Sequence, residues 1–108
     1  MSSTLEAVEV CEEWSVEPGT ARRVVVQGRA LAVFNVDGDF RVTDDTCTHG
    51  FASLSGGILS GYIVTCPWHG GAFDVRSGLP IAQPCVEPLA VYPCELREGS
   101  VWARLKPD

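Results

Sequence analysis

A chain of 108 residues with 45% hydrophobic and 20% charged residues has the size and composition of one globular domain. Its formal net charge of −6 argues against a nucleic acid or an anionic membrane surface as partner; the charge either steers the chain toward a basic protein surface or only keeps it in solution. No apolar run reaches the roughly 18 residues of a membrane-spanning helix, and residues 1–6 lack the basic and apolar regions of a signal peptide. We therefore expect a cytoplasmic protein with no membrane partner.

Short β-branched runs between glycine- and proline-containing turns predict strands along the first part of the chain. The predicted strands are residues 5–11, 21–26, 30–36 and 39–43, with a loop over 12–19. Asp37-Gly38 is a strong signal for a hairpin turn. Antiparallel strands without a helical period predict an all-β sandwich or barrel.

The second part of the chain begins with a polar stretch, rich in small residues, over 44–57. After it we predict a hairpin of 58–59 and 62–65 around Ser60-Gly61, a strand at 72–75, a turn at Ser77-Gly78, an irregular extended segment over 79–88, and a last hairpin of 89–96 and 101–105 across Glu98-Gly99. We predict one domain over 1–108. Its base is roughly 1–43 and 85–108, and a smaller inserted β subdomain is roughly 44–84.

Both histidines of the chain lie in two short stretches, Cys47-Thr48-His49 and Cys66-Pro67-Trp68-His69. Each stretch supplies one thiolate and one imidazole, which indicates a metal site. Residues i and i+2 of an extended segment point the same way, so Cys47 and His49 can face one bound group. A two-iron, two-sulfide cluster, with two cysteines on one iron and two histidines on the other, is the best known use of such a pattern.

A zinc site is the alternative for these four residues. Cys2His2 zinc sites usually pair a half with two cysteines and a half with two histidines. Here each half mixes the two residue types, which suits a cluster with unlike irons better. A zinc-stabilised interaction module remains open on the spacing alone.

The other three cysteines, Cys11, Cys85 and Cys94, stand in apolar or strand-like surroundings. The total of five is odd and no signal peptide is visible, so a disulfide framework is not expected. We predict that these three are buried and unreactive.

The segments Cys47-Thr48-His49-Gly50 and Cys66-Pro67-Trp68-His69-Gly70-Gly71-Ala72-Phe73-Asp74 resemble the two cluster-binding boxes of Rieske proteins. The resemblance covers almost the whole chain and implies a Rieske-like antiparallel β fold with one 2Fe-2S cluster. It implies that Cys47 and Cys66 bind one iron, and that His49 and His69 bind the other, nearer the surface. Phe51, Trp68 and Pro84 are predicted either to form an apolar rim around the histidines, where electrons would leave, or to serve only as ordinary loop packing.

Within that family the chain is most similar to the small ferredoxins of bacterial aromatic-ring-hydroxylating dioxygenase systems. Respiratory-chain Rieske proteins have a membrane anchor and a second cysteine in each box, where this chain has Ala52 and Trp68. They also carry a serine and a tyrosine that hydrogen-bond the cluster, where this chain has Gly71 and Phe73. The resemblance implies a monomeric one-electron carrier, not an enzyme, between an NADH-dependent flavoprotein reductase and a terminal oxygenase.

An alternative function is that of a small Rieske subunit in a larger redox enzyme such as a nitrite reductase. A complete oxygenase is excluded, because its mononuclear iron needs two histidines and a carboxylate and both histidines are already assigned. We therefore predict no catalytic residues in this chain.

Overall fold

A computed structural model of the chain describes residues 7–48, 52–67, 70–83 and 87–105. Over these residues the chain forms eleven strands, two short 3-10 turns and no α-helix. The strands are β1 Ala7–Glu12, β2 Ala21–Val26, β3 Arg29–Val36, β4 Asp39–Asp44, β5 Ile58–Ser60, β6 Ile63–Thr65, β7 Ala72–Asp74, β8 Pro80–Ala82, β9 Val91–Tyr92, β10 Cys94–Arg97 and β11 Ser100–Arg104. The all-β prediction is confirmed. Within the same ranges no helix is long and apolar enough to cross a membrane.

The strands form three antiparallel sheets. Sheet 1 has the order β1-β11-β10, sheet 2 the order β2-β3-β4-β9, and sheet 3 the order β5-β6-β7-β8. Sheet 3 is built entirely from strands of three residues, whereas β3 in sheet 2 has eight. The chain enters sheet 3 from the end of β4 and returns to β4 through β9.

Two-residue turns close the hairpins of sheets 1 and 2. Gln27-Gly28, Asp37-Gly38 and Glu98-Gly99 each have positive φ at both residues, from 52° to 90°. Turns of this kind match the right-handed twist of the strands they join, and glycine at the second position adopts positive φ without a steric penalty. The predicted turns at Asp37-Gly38 and Glu98-Gly99 are confirmed.

Three details of the predicted strands are wrong. The predicted strand 89–96 is two strands in two different sheets, divided at Pro93, which has no N–H to offer to a ladder. The segment 79–88, predicted to be irregular, contains β8, where Pro80 is the first residue of an edge strand and pairs with Phe73. The hairpin predicted around Ser60-Gly61 turns at Gly61 and Tyr62, since Ser60 pairs with Ile63.

Strand β3 separates two buried cores. Residues 31–36 are all buried, and they alternate between the cores because successive side chains point to opposite faces of a strand. The first core joins sheets 1 and 2 and consists of Val10, Cys11, Val16, Leu31, Val33, Phe40, Val42, Tyr92, Val101, Ala103 and Leu105. The second core joins sheets 2 and 3 and consists of Ala32, Phe34, Val36, Cys47, Ala52, Leu54, Val64, Cys66, Phe73, Val75 and Leu89. Both motif cysteines therefore belong to the second core.

Candidate metal centre

The first motif loop starts at the end of β4. The backbone N–H of Cys47 donates to the carbonyl of Ala52 at 3.0 Å, and Thr46 forms an isolated bridge with Ser53. These contacts close the loop from 47 to 52 and leave Cys47 with 2% of its surface exposed. The Thr48 hydroxyl donates to the carbonyl of Glu87 at 3.0 Å. That bond ties the loop to a segment 39 residues further along the chain.

The second motif loop joins β6 to β7. The N–H of Cys66 donates to the carbonyl of Gly71 at 2.7 Å, and the N–H of Gly70 donates back to the carbonyl of Cys66 at 3.4 Å. Gly70 has a φ of +76°, which favours glycine at this position. Thr65 and Ala72 pair at the base of the loop. Cys66 has 2% of its surface exposed, as Cys47 has.

The fold brings Cys47 and Cys66 into one buried cluster from two different loops. They lie in the second core with Leu54, Val64 and Phe73. Neither forms a disulfide. Two thiols enclosed by apolar side chains are shielded from water and oxidants, while both can act as soft metal ligands from loops that sheet 3 holds in place.

One carboxylate at the start of the first motif loop was not predicted to have a role. Asp45 is almost fully buried, and its Oδ1 accepts a hydrogen bond from the N–H of Ser55 at 2.9 Å. The Ser53 hydroxyl donates to Oδ2 at 2.5 Å. The sequence signal was weak: an aspartate two residues before a predicted ligand, with serines eight and ten residues later.

A surface network ties sheet 3 to the start of β4. The Tyr62 hydroxyl donates to Asp39 at 2.5 Å, and the guanidinium of Arg76 lies 4.2 Å from the centre of the Tyr62 ring. The hydrogen bond from Tyr62, together with that from Arg41, lowers the pKa of Asp39, and the same bond to Asp39 raises the pKa of Tyr62. This network fixes the β5–β6 hairpin on sheet 2 without contributing a metal ligand.

Two of the four predicted ligands, His49 and His69, lie outside the described residues, as do Phe51, Trp68 and Pro84 of the predicted rim. Within the described ranges no group of three His, Cys, Asp or Glu residues is placed to hold a metal ion. Of the predicted site, the cysteine half, Cys47 and Cys66, lies within the described residues.

The remaining cysteines differ from the two motif cysteines in position. Cys11 lies in the first core, and Cys94 is half-buried, with its thiol donating to the carbonyl of Phe40 at 3.0 Å. Burial raises the pKa of both thiols, which favours the protonated form that does not bind metals. The prediction of burial is confirmed for Cys11 and is wrong in degree for Cys94; Cys85 is outside the described residues.

The cysteine half of the site fits a 2Fe-2S cluster. Such a cluster needs two thiolates on one iron, from residues held close together and away from solvent. Cys47 and Cys66 meet these needs, because they are buried in the same core, come from separate loops and are not joined to each other as a disulfide. In the sequence a histidine follows each of them by two or three residues.

Residues 6–93 match the protein family described as Rieske [2Fe-2S] domain. The chain is 50% identical over 96 residues to Ferredoxin CarAc of Metapseudomonas resinovorans, which covers 88% of this chain and 90% of that relative. It is 43% identical over 99 residues to the ferredoxin component of a p-cumate 2,3-dioxygenase system of Pseudomonas putida, which covers 90% of this chain and 84% of that relative.

The fold is also similar to that of a chain of known structure. That structure is described as the complex of reduced oxygenase and oxidized ferredoxin in carbazole 1,9a-dioxygenase. The similarity covers 98% of each chain, with a TM-score of 0.88 and 44% sequence identity. At this coverage almost all of the present chain corresponds to almost all of the matched chain.

Proposed function

This chain belongs to the Rieske 2Fe-2S family, and from that premise we propose that it works as the ferredoxin component of an aromatic-ring-hydroxylating dioxygenase system. It is a one-electron carrier with one Rieske-type cluster, and it is not itself an enzyme. The observation that carries this conclusion is the extent of the similarity to Ferredoxin CarAc, which spans 90% of that relative. A relative matched over nearly its whole length shares the complete carrier domain.

We propose that Cys47 and Cys66 bind one iron of the cluster and that His49 and His69 bind the other. The two motif cysteines support this assignment, because they are buried together in the second core. A bound cluster of this type takes up and releases one electron. The protein's own contribution is to bury the two thiolates, to fix both loops through the Cys47–Ala52 and Cys66–Gly71 hydrogen bonds, and to keep water from the sulfur atoms.

The proposed electron donor is an NADH-dependent flavoprotein reductase, and the proposed acceptor is a terminal oxygenase. The oxygenase is supported by the matched structure, in which a similar ferredoxin forms a complex with an oxygenase. The proposed carrier is monomeric and cytoplasmic. A net charge of −6 suits long-range steering toward basic surfaces on both partners.

We also propose that roughly 44–84 forms the cluster-binding unit, on a base of roughly 1–43 and 85–108. Support comes from the sheets, because within the described ranges β5 to β8 pair only with one another, while β9 returns the chain to sheet 2. Both motif cysteines lie in loops that connect to these strands: Cys47 precedes β5, and Cys66 follows β6.

The test compares two single variants: one replaces a proposed ligand, Cys66, and the control replaces Cys94, which lies elsewhere. Cys66→Ser should abolish the visible absorption and the reduced-state electron paramagnetic resonance signal of a Rieske cluster. The control, Cys94→Ser, should keep both, because a serine hydroxyl can still donate to the carbonyl of Phe40. Turnover of an aromatic substrate, with reductase and oxygenase in excess, should depend on the concentration of the wild-type chain and be absent with Cys66→Ser.

Two outcomes would contradict the proposal. A wild-type protein that contains zinc and no iron or acid-labile sulfide would make the site structural. A wild-type protein with a Rieske cluster that transfers no electrons to an oxygenase, and that sediments only as part of a larger assembly, would favour a subunit role instead.

A further inference from the structure

Asp45 is the only buried acidic side chain among the described residues. Its side chain is 3% exposed. It stands between the end of β4 and the first motif loop, two residues before Cys47. A buried carboxylate is retained at such a place only where hydrogen bonds replace the water that it has lost.

Three donors meet the Asp45 carboxylate from two different parts of the chain. The N–H of Ser55 donates to Oδ1 at 2.9 Å, and the hydroxyl of Ser53 donates to Oδ2 at 2.5 Å. The Nε of Arg23, on β2, lies 3.4 Å from Oδ2. The carboxylate therefore joins the returning side of the first motif loop to sheet 2.

The backbone of Asp45 fixes the same loop a second time. Its carbonyl accepts from the N–H of Leu54 at 2.7 Å, and its own N–H donates to the carbonyl of Ala30 on β3 at 3.0 Å. Asp45 thus joins the start of the loop that carries Cys47 to its far side at Leu54, and to β3. Next to these bonds, the N–H of Cys47 donates to the carbonyl of Ala52.

We propose that Asp45 is a positioning residue for the metal centre: its carboxylate holds the described flanks of the first motif loop, 45–48 and 52–55, where they present Cys47 to the cluster. The proposal rests on the proposed function, in which Cys47 is a ligand. Asp45 does not touch the cluster in this proposal; it acts through Ser53 and Ser55. Preorganised ligands bind more tightly, because less conformational freedom is lost on binding.

An asparagine amide cannot replace the Asp45 carboxylate in these contacts. Asparagine has one acceptor oxygen and an NH2 group that is a donor only. The Ser55 N–H, the Ser53 hydroxyl and the Arg23 Nε all approach the carboxylate as donors. Asp45→Asn would set one donor against another, and the loop would have to move to relieve the conflict.

The test measures cluster retention and the cluster's spectroscopic signature in the intact, cluster-containing protein. We expect Asp45→Asn to lose its cluster to a chelator about tenfold faster than wild type, which is the effect of roughly one buried hydrogen bond. We also expect shifted g-values in the reduced-state electron paramagnetic resonance spectrum. The matched control is the neighbouring Asp44→Asn, because an amide oxygen can still accept the bond from the Tyr92 hydroxyl; it should behave as wild type.

A second variant, Ser53→Ala, keeps the proposal testable if Asp45→Asn does not fold. It removes one donor from the carboxylate and should shift the same two readouts by a smaller amount. The positioning role would be overturned if Asp45→Asn kept the g-values and the rate of cluster loss of the wild type, even if its thermal midpoint fell. If Asp45→Asn does not fold, the same result in Ser53→Ala would overturn it. Absence of a cluster from the wild-type protein would instead overturn the proposed function.

Discussion

The two cores share strand β3 but differ in how they are built. The first core joins two sheets whose strands are mostly four to eight residues long, apart from the two-residue β9. The second core rests on sheet 3, in which every strand has three residues. Strands so short make few ladder hydrogen bonds, so the second core depends more on loops, close contacts and side-chain packing.

The difference has a functional meaning, because both motif cysteines belong to the second core. The two motif loops need a support that holds them in place. The long strands of sheet 2 supply it through β3, which both cores share. The first core stabilises the fold, and the second also holds the two motif cysteines. The following predictions test that separation.

The largest expected effect comes from truncating a matched aromatic residue in each core. Phe73 in the second core is 0% exposed and Phe40 in the first is 6% exposed. Replacing either by alanine should lower the free energy of unfolding by about 3 to 5 kcal/mol through lost burial and a cavity. Only Phe73→Ala should also lower the iron content per chain, since Phe73 lies in the same cluster as Cys66.

Denaturant titration and iron analysis at low temperature measure both quantities. If Phe40→Ala loses as much iron as Phe73→Ala at equal stability, the two cores do not act separately.

The next effect concerns a close backbone contact between Gly57 and the end of β6. A Cβ atom on Gly57 would lie 2.1 Å from the carbonyl oxygen of Thr65, the residue before Cys66. Gly57→Ala should therefore displace the end of β6 and destabilise the protein by about 1 to 3 kcal/mol, with a reduced cluster content. Its neighbour Gly56 has no heavy atom within 4 Å of such a Cβ.

Gly56→Ala is thus the matched control and should change stability by less than about 0.5 kcal/mol. Equal midpoints of urea unfolding for the two variants would show that the Gly57 contact relaxes without consequence.

A third prediction concerns the reduction potential. Rieske centres span about −150 to +300 mV, and hydrogen bonds to the cluster raise the value. Wild type should lie in the lower part of that range, because Gly71 and Phe73 have no side-chain hydroxyl. The double variant Gly71→Ser, Phe73→Tyr should raise the potential by about 60 mV for each hydrogen bond gained, which corresponds to about 1.4 kcal/mol for one electron.

Redox titration followed by visible absorbance measures this shift. Phe40→Tyr, in the first core, is the control and should leave the potential unchanged. A wild-type potential near the top of the range would argue against the ferredoxin subgroup.

The smallest expected effect is a pH dependence of the free energy of unfolding, caused by Tyr92 in sheet 2. Burial, with the hydrogen bond to Asp44, raises the pKa of Tyr92 from 10.0 to about 12. The folded state therefore keeps a proton that the unfolded chain releases, so this stabilisation is complete below pH 10 and declines as pH rises toward 12. From pH 9 to pH 11 the contribution should fall by about 1 kcal/mol.

Tyr92→Phe should lack that part of the decline, and the difference between the two proteins in urea unfolding at each pH isolates it. Cys11 and Cys94, whose pKa values are also raised, affect both proteins alike. Parallel pH curves for wild type and Tyr92→Phe would show that Tyr92 does not carry the effect.

Much of the fold could be predicted, because local signals agree with the final structure in sheets 1 and 2. The strand at 21–26 and the turns at Asp37-Gly38 and Glu98-Gly99 are where alternation and turn residues place them. Two of the three failures involve proline, and the third is a one-residue shift of the hairpin turn to Gly61 and Tyr62. Pro80 opens a short edge strand and Pro93 lies where the chain changes sheets, and proline's local preferences specify neither outcome.

The sequence singles out candidate ligands for the site, but it does not show how the structure supports them. Cys47 and Cys66 stand out through their spacing to the histidines. The part played by Asp45 depends on Ser53 and Ser55 in the same loop and on Arg23 in a distant strand. Such convergence appears only when the chain is folded, because no local rule relates an aspartate to a guanidinium 22 residues earlier.

The double burial of β3 also has a consequence for how the protein is made. Residues 31–36, Leu-Ala-Val-Phe-Asn-Val, carry no charge, glycine or proline, and all six are buried between the two cores. Six-residue segments of high β-propensity and low charge are those that self-associate into intermolecular sheets when a chain is unfolded. Two charged residues flank the segment, Arg29 two positions before it and Asp37 directly after it. Charged residues at such places hinder the formation of intermolecular sheets. Protection of a newly synthesised chain from aggregation thus depends on how soon both neighbouring sheets cover this one strand.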